Sequence, residues 1–241
     1  MFSRRPTWLS HRSLPVITKT REIPWLPASK SREKPVPQPQ QPIEEARSLL
    51  LQGFLAKQEL SGLMDYARLR ARDFHASQVV ANAEPAYQRH RRSRVLLDAG
   101  TFHEILEKRI KLCFYRILQA LNHPFFHISR VESQITASND GDYFRLHNDN
   151  THGCAPSREI TFVYFFHREP KPFEGGELIL YDSCKESGGS HVPVRIRRRI
   201  TPSQNAIIFF QSSCIHEILP VQCPTGLFSD SRFTLNGWVH R

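Results

Sequence analysis

From residue 125 onward the chain is a series of short β-type runs, and this series constrains the fold more than any other feature. Val131, Ser133, Ile135 and Ala137 alternate with polar residues, the period of a strand whose two faces differ. Residues 160–166 form a run apolar but for Thr161, the pattern of a strand buried on both faces. Gly175-Gly176 turns the chain into a run over 177–181, and further runs follow at 193–201, 206–210, 216–221 and 231–239. About eight short antiparallel strands with turn signals predict a double-sheet jelly roll, a double-stranded β-helix, in an α+β, mainly β chain.

Upstream the period changes. Leu60, Leu63, Met64, Ala67, Ala71 and Phe74 recur at helical spacing and predict an amphipathic helix over 57–74. Thr101 and Glu104 make a capping-box pattern. The helix it opens runs to Leu121 with Ile105, Leu106, Cys113, Ile117 and Leu121 inward, and Asn122 and Pro124 stop it. Residues 1–42 carry eight prolines and a Gln-rich stretch; such a composition cannot bury enough apolar surface to order itself. The predicted organisation is therefore a Pro/Arg-rich tail over 1–42 and one domain over 43–241, with helical support over 43–124 and a jelly-roll core over 125–241.

Within 193–201, Val194, Ile196 and Ile200 are expected to face inward and Arg195, Arg197 and Arg199 outward. Arg198 falls on the apolar side, which predicts a bulge.

The net charge is +10, but residues 1–40 hold eight Lys/Arg against two Glu. The excess lies mostly in the tail, so it is not read as a nucleic-acid footprint of the folded part. Basic clusters at Arg89, Arg91, Arg92, Arg94 and at Arg195, Arg197, Arg198, Arg199 are the residues nucleic acid would have to use. Five cysteines, with no CxxC pair and one left over, argue for a reducing compartment, and a cytoplasmic location is expected. No apolar run is long enough to cross a membrane. The N-terminus lacks the apolar core of a secretory signal; it is Arg/Ser-rich without an acid before Glu22, a faint transit-peptide pattern, and is expected to be a solvated basic tail.

In the stretch 142–150, His147 and Asp149 stand two residues apart. On a strand, period two would put both side chains on one face. An imidazole and a carboxylate are two of the three donors in the 2-His-1-carboxylate facial triad, which holds ferrous iron and leaves positions open. His216, just past the run 206–210, offers the second imidazole. The scattered cysteines exclude a thiolate site, and zinc would want a more closed shell. Sixteen residues further on, Arg232 sits in a strand-like segment with Phe233, Leu235, Trp238 and Val239. A guanidinium buried there needs an anion and grips a carboxylate bidentately.

This order of HxD, distal His and Arg, over roughly 125–241, resembles the 2-oxoglutarate and Fe(II)-dependent dioxygenases, in their prolyl-4-hydroxylase-like branch. The resemblance implies the jelly roll again, with the two N-terminal helices packed on one sheet, Fe(II) on His147, Asp149 and His216, and Arg232 on the far carboxylate of 2-oxoglutarate. O2 would be the second co-substrate, ascorbate would help keep the iron reduced, and succinate and CO2 would be released. An unactivated C–H would be hydroxylated in a prolyl residue, an amino acid or a small molecule. Halogenating relatives lack the carboxylate, so Asp149 points to hydroxylation. Tyr143, Tyr164 and Asn236 are the expected further contacts to co-substrate. Asn236 shares a face with Arg232, whereas the register around Tyr164 leaves Phe165 as the competing position. Arg145 and Arg158 are expected at the surface. His152, His167, His191 and His240 lack the partner spacing of ligands, and Asp140 and Asp142 beside Gly141 read as turn residues. Loops over 150–158 and 182–192 are placed to flank either a peptidyl or a small substrate. The alternative reading is a metal-binding jelly-roll sensor or binding module without turnover; nucleic-acid demethylation stands third, with no aromatic base pocket to support it.

Overall fold

The computed structural model describes residues 42–77, 90–150, 156–185 and 191–241, all within one compact unit, Pro39–Arg241. The expected tail, up to residue 41, and parts of both expected mouth loops lie outside the described residues. In chain order the strands are β1 (Ser48–Gln52), β2 (His75–Ala76), β3 (Arg91–Arg92), β4 (Arg94–Leu96), β5 (Arg130–Ser138), β6 (Tyr143–His147) and β7 (Arg158–Phe166). They continue as β8 (Glu174–Gly175), β9 (Leu178–Lys185), β10 (His191–Ile200), β11 (Ala206–Gln211), β12 (Ile215–Ile218), β13 (Val221–Gln222) and β14 (Arg232–His240). Two helices, α1 (Lys57–Leu69) and α2 (Thr101–Leu121), precede β5.

A larger sheet runs β1-β11-β7-β14-β5-β4-β2, and a smaller one β10-β9-β12-β6-β3, with every described pairing antiparallel. Alternation along the central strands sorts the layers. Phe162, Tyr164 and Phe166 of β7, Ile207 and Phe209 of β11, and Phe233, Leu235 and Val239 of β14 pack with Leu63, Ala67, Ile110, Ile117 and Leu121 of the helices. The intervening Val163, Phe165, Ile208 and Phe210 pack instead with Leu178, Leu180 and Ile200 of the smaller sheet. The result is helices on the outside of one sheet and a second core between two sheets, the expected jelly roll. Fully burying one Phe-sized side chain contributes about 1.5–3 kcal/mol, so β7, with its last seven residues buried, anchors both cores.

α1 ends at Leu69 and passes into a 3-10 turn, Ala71–Asp73, rather than running to 74. Arg94 Nη2 donates to the carbonyls of Ala71 and Phe74 (3.1 and 3.0 Å), satisfying backbone oxygens that the ended helix leaves open. Thr101 is the first residue of α2, not its cap, and no side-chain cap forms there. The reach-back bond occurs on α1, where Ala56 N donates to Glu59 Oε2 at 2.7 Å. Asn122, at φ 50°, closes α2 in the left-handed region, as expected of a stop signal.

In β10 only Ile200 is buried; Val194 and Ile196 are 38% and 54% exposed, against expectation. The register against β9 shifts between Pro193 and Arg195 and again between Ile196 and Arg198. Two irregularities in an edge strand break the period-two assignment, and the second falls beside Arg198, where a bulge is expected. The arginines here are tethered. Arg195 Nε donates to Asp182 Oδ2 at 2.8 Å, and Arg198 Nη1 donates to Ser48 Oγ at 2.9 Å. Cys113, Cys184, Cys214 and Cys223 are free thiols. No described helix is long and apolar enough to cross a membrane.

Candidate active site

The pairing of β6 with β12 sets the site. His147 and His216 are register partners across the two strands, with ring centroids 4.0 Å apart. Each imidazole donates from Nδ1 to the carbonyl two residues back: His147 to Arg145 O at 2.7 Å, His216 to Cys214 O at 3.0 Å. That bond fixes the tautomer and leaves each Nε2 lone pair free.

Asp149 reaches the same point by a different route from the one expected. β6 ends at His147, so Asp149 lies in the bend that follows, not on a continued strand. Its N–H donates to Ser212 O at 2.9 Å, and its Oδ2 accepts from Thr161 Oγ1 at 2.8 Å. Ser212 Oγ lies 3.0 Å from the same threonine hydroxyl. The carboxylate is thereby held 3.7 Å from His147 Nε2 and 3.5 Å from His216 Nε2. Ligand atoms of all three residues lie within 4.8 Å of one another. Burial pushes the His147 imidazole well below its usual value, and the neighbouring His216 adds to this. Burial alone would raise the Asp149 carboxyl; the two imidazoles, Thr161 and the nearby Trp238 indole outweigh it and hold it low. The Trp238 N–H has no partner of hydrogen-bond geometry, so its effect on Asp149 is proximity rather than a formed bond.

A cavity opens on this cluster. Its floor is the polar face of the larger sheet: Gln134, Thr136 and Ser138 of β5, Thr161 and Val163 of β7, and Arg232, Thr234, Asn236 and Trp238 of β14. Here the alternation expected of β14 has a clear consequence, because Phe233, Leu235 and Val239 face the helices while the even positions face the cavity.

Arg232 is 3% exposed, and its Nε and Nη2 have no hydrogen-bond partner. Its guanidinium lies 5.2 Å from the Phe165 ring centroid, and burial lowers its pKa to about 10, so it stays charged at neutral pH. Room for it comes from Gly176, at φ +67°, where an added Cβ would lie 2.6 Å from Arg232 Cδ. An orphaned buried guanidinium costs several kcal/mol unless an anion meets it.

Tyr143 and Asn236 also line the cavity, and Asn236 Oδ1 accepts from Thr136 Oγ1 at 2.8 Å. Tyr164 does not. Its ring packs on the helix side of β7, and its hydroxyl donates to Asn205 Oδ1 at 2.9 Å. The residues of β7 on the cavity side are Thr161 and Val163, with Phe165 beside Arg232. A strand with Thr161 as its one polar residue between 160 and 166 carries little polarity signal to fix its register, so the expectation for Tyr164 is corrected here. Arg158, expected at the surface, stacks 3.5 Å over the Trp238 ring and donates to Glu132 Oε2 at 3.0 Å.

Thr161, Trp238 and Arg91 are site residues that the sequence reading did not single out as such. Trp238 and Thr161 had a signal in retrospect, since each sits an even number of residues from a cavity-facing partner on its strand. Arg91 looked like one member of a basic cluster. Its neighbours have other business: Arg92 Nε pairs with Asp142 Oδ1 at 2.9 Å, and Arg94 binds carbonyls.

A family model described as the 2OG-Fe(II) oxygenase superfamily matches residues 133–240. An uncharacterised PKHD-type hydroxylase of Synechocystis sp. is 36% identical over 193 residues, which is 79% of this chain and 62% of the relative. The chain thus spans less than two thirds of that relative's length. Among solved structures, a Pseudomonas putida prolyl-4-hydroxylase superposes with a TM-score of 0.57 at 19% identity, covering 81% of this chain and 94% of that one. A prolyl hydroxylase of Trichoplax adhaerens, solved in complex with a hypoxia inducible factor oxygen degradation domain peptide fragment, gives a TM-score of 0.57 at 16% identity, covering 81% and 84%. At such identities the structural likeness is one of fold.

Proposed function

We propose that the chain is a member of the 2OG-Fe(II) oxygenase superfamily, of its prolyl-4-hydroxylase-like branch, and a dioxygenase that hydroxylates an unactivated C–H; the match over residues 133–240 and the 36% identity to a PKHD-type hydroxylase support this. The substrate would be a prolyl residue, an amino acid or another small molecule. One observation carries this reading: the buried guanidinium of Arg232, its Nε and Nη2 without a partner, lines the same cavity as His147 and Asp149, which cluster with His216. A metal-binding module without turnover has no use for it.

The residues present fit both groups. Two imidazole nitrogens and one carboxylate suit ferrous iron with open positions, and a fork of unsatisfied donors suits the far carboxylate of 2-oxoglutarate. When bound, iron supplies the O2 chemistry in which 2-oxoglutarate becomes succinate and CO2 while one oxygen atom goes to substrate as hydroxyl.

The chain supplies placement. Arg232 orients the co-substrate along the cavity floor, with Asn236 on the same strand and Tyr143 on the wall as further polar contacts. Thr161 keeps the Asp149 carboxylate aimed between the imidazoles. Phe144, Val163, Ile218 and Trp238 give the cavity apolar walls, which limit water at the reacting centre. Ascorbate is the reductant expected to keep the iron ferrous.

The test is a pair of measurements. Mn(II)-loaded protein is titrated anaerobically with 2-oxoglutarate; binding is expected and should fall about a hundredfold in Arg232→Leu, the scale of a lost charge-assisted pair. Fe(II)-loaded protein is then incubated with labelled 2-oxoglutarate and pools of prolyl peptides, amino acids and small metabolites, and succinate is recorded. Metal binding without 2-oxoglutarate binding or succinate release would overturn the proposal in favour of a sensor module.

A further inference from the structure

We propose that Arg91 is a specificity residue that receives a carboxylate on the substrate. This rests on the functional reading above and extends it to the substrate's chemistry.

Arg91 lies on β3, opposite Phe144 of β6, and lines the cavity across from the floor that carries Arg232. Its Nε donates to Ser93 Oγ at 3.0 Å, and Ser93 Oγ in turn bonds to Ser77 Oγ at 3.2 Å. The guanidinium sits 4.8 Å from the Phe144 ring centroid, and that ring stacks on His147 with centroids 3.5 Å apart. The side chain is half-buried, held on one edge by a hydroxyl and on one face by a ring. Among the described residues no carboxylate lies within ion-pair distance of it, whereas Arg92 and Arg158 on either side of the site have Asp142 and Glu132.

Charge balance then points to the missing partner. In the loaded site, the iron dication and Arg232 offset the 2-oxoglutarate dianion and Asp149. Arg91 is left over as a cation in a partly closed cavity, where an uncompensated charge is costly. A neutral substrate would bury it further; a substrate carrying a carboxylate would pair with it bidentately and hold the molecule by one end, with the remainder directed toward the metal cluster. A free small acid and the C-terminus of a peptide both present this group.

The experiment uses full-length protein loaded with Mn(II) and 2-oxoglutarate. Its probes are L-proline, glycine, N-acetyl-L-prolinate and N-acetylglycinate, each beside its carboxamide. Mn(II) speeds relaxation of ligand protons held close to it, so the NMR readout needs no turnover. The expected result is relaxation of at least one carboxylate probe and about tenfold weaker binding of its carboxamide, the scale of one charge-assisted contact. Blocked and unblocked probes distinguish a C-terminus from a free amino acid. Arg91→Gln should weaken the carboxylate probe about tenfold and leave the carboxamide unchanged, and Arg91→Lys should restore part of the loss. The idea is overturned if no probe is relaxed, if acids and amides bind alike, or if Arg91→Gln abolishes 2-oxoglutarate binding instead. Wild-type protein that takes up no 2-oxoglutarate would fail at the loading titration, which marks the functional reading itself as the error. Because the acid–amide comparison is made on wild-type protein, it stands even if a variant fails to fold.

Discussion

His147 and His216 are equivalent in two respects: they are register partners on neighbouring antiparallel strands, and each imidazole Nδ1 is held by the carbonyl two residues before it. The same local bond on two facing strands turns both Nε2 atoms toward one point. Asp149 completes that point from outside the strand, and it depends on neighbours the histidines do not use.

That dependence is testable at Thr161. Its hydroxyl is the side-chain donor to Asp149 Oδ2, and it also meets Ser212 Oγ. Thr161→Val keeps the shape and removes the donor. Partners of this kind orient a metal-ligating carboxylate, and losing one typically costs 10–100-fold in affinity. Mn(II) titration by calorimetry should show about that loss, with thermal stability changed by only about 1 kcal/mol. Unaltered Mn(II) affinity would mean that Asp149 needs no help from β7.

A second expectation concerns the space beside Arg232. Gly176→Ala would put a Cβ 2.6 Å from Arg232 Cδ and 2.9 Å from Val221 Cγ2, at a backbone φ of +67°. The strained conformation costs about 1–2 kcal/mol for a residue other than glycine, and the guanidinium must shift. Binding of 2-oxoglutarate should weaken about tenfold or more, since a carboxylate fork tolerates little displacement. Mn(II) affinity should hold, because Gly176 does not touch the histidines. Equal loss of both would point to general unfolding instead.

What could be read from the chain follows from where polarity alternates. β14 carries its signal in full: Phe233, Leu235 and Val239 against Arg232, Thr234 and Asn236, so the position of Arg232 was legible. β7 has little such contrast, so its sequence leaves Tyr164 and Phe165 as competing positions, and the fold puts Phe165 beside Arg232 and Tyr164 on the helix side. β10 has the contrast, but two register shifts scramble it, and no local residue pattern announces both. β1 was not anticipated at all; its Leu49 and Leu51 pack on the helix-side core and its Leu50 on the inter-sheet core, a two-sided burial with no alternation to read. Arg91 belongs to a further class: its role depends on β3 lying beside β6, a pairing between segments some fifty residues apart that no short-range pattern encodes.

The corrected placement of Tyr164 has its own consequence. Its hydroxyl donates to Asn205 Oδ1, and the Asn205 amide nitrogen donates to Leu55 O at 2.8 Å, tying the approach to α1 onto the sheet. Tyr164→Phe removes one buried hydrogen bond and leaves an acceptor under-satisfied, a cost of about 1–2 kcal/mol. Urea unfolding should show that loss, while 2-oxoglutarate affinity stays at the wild-type value. A drop in co-substrate binding without loss of stability would return Tyr164 to the active site.

The last expectation is a pH dependence two residues before Arg232. Asp230 is 3% exposed; Arg168 Nε donates to its Oδ1 at 2.5 Å and Thr225 Oγ1 to its Oδ2 at 2.8 Å. The hydrogen bond from Arg168, followed by that from Thr225, holds its carboxyl down at about 2. A carboxyl depressed in the folded state stabilises the protein wherever it is ionised in both states, above about pH 4, and loses that contribution as pH falls toward about 2. Arg168 is about a third exposed (35%), and solvent screens the pair, so the contribution is about 1–2 kcal/mol rather than the full value of the shift. Asp230→Asn should therefore be less stable than wild type by about that much at pH 7. The gap should narrow between pH 4 and 2 and close near pH 2, where the wild-type carboxyl is protonated too. Urea midpoints measured across this range decide the matter: a gap that persists undiminished at the acid end would assign the loss to packing at the β14 entry rather than to the charge.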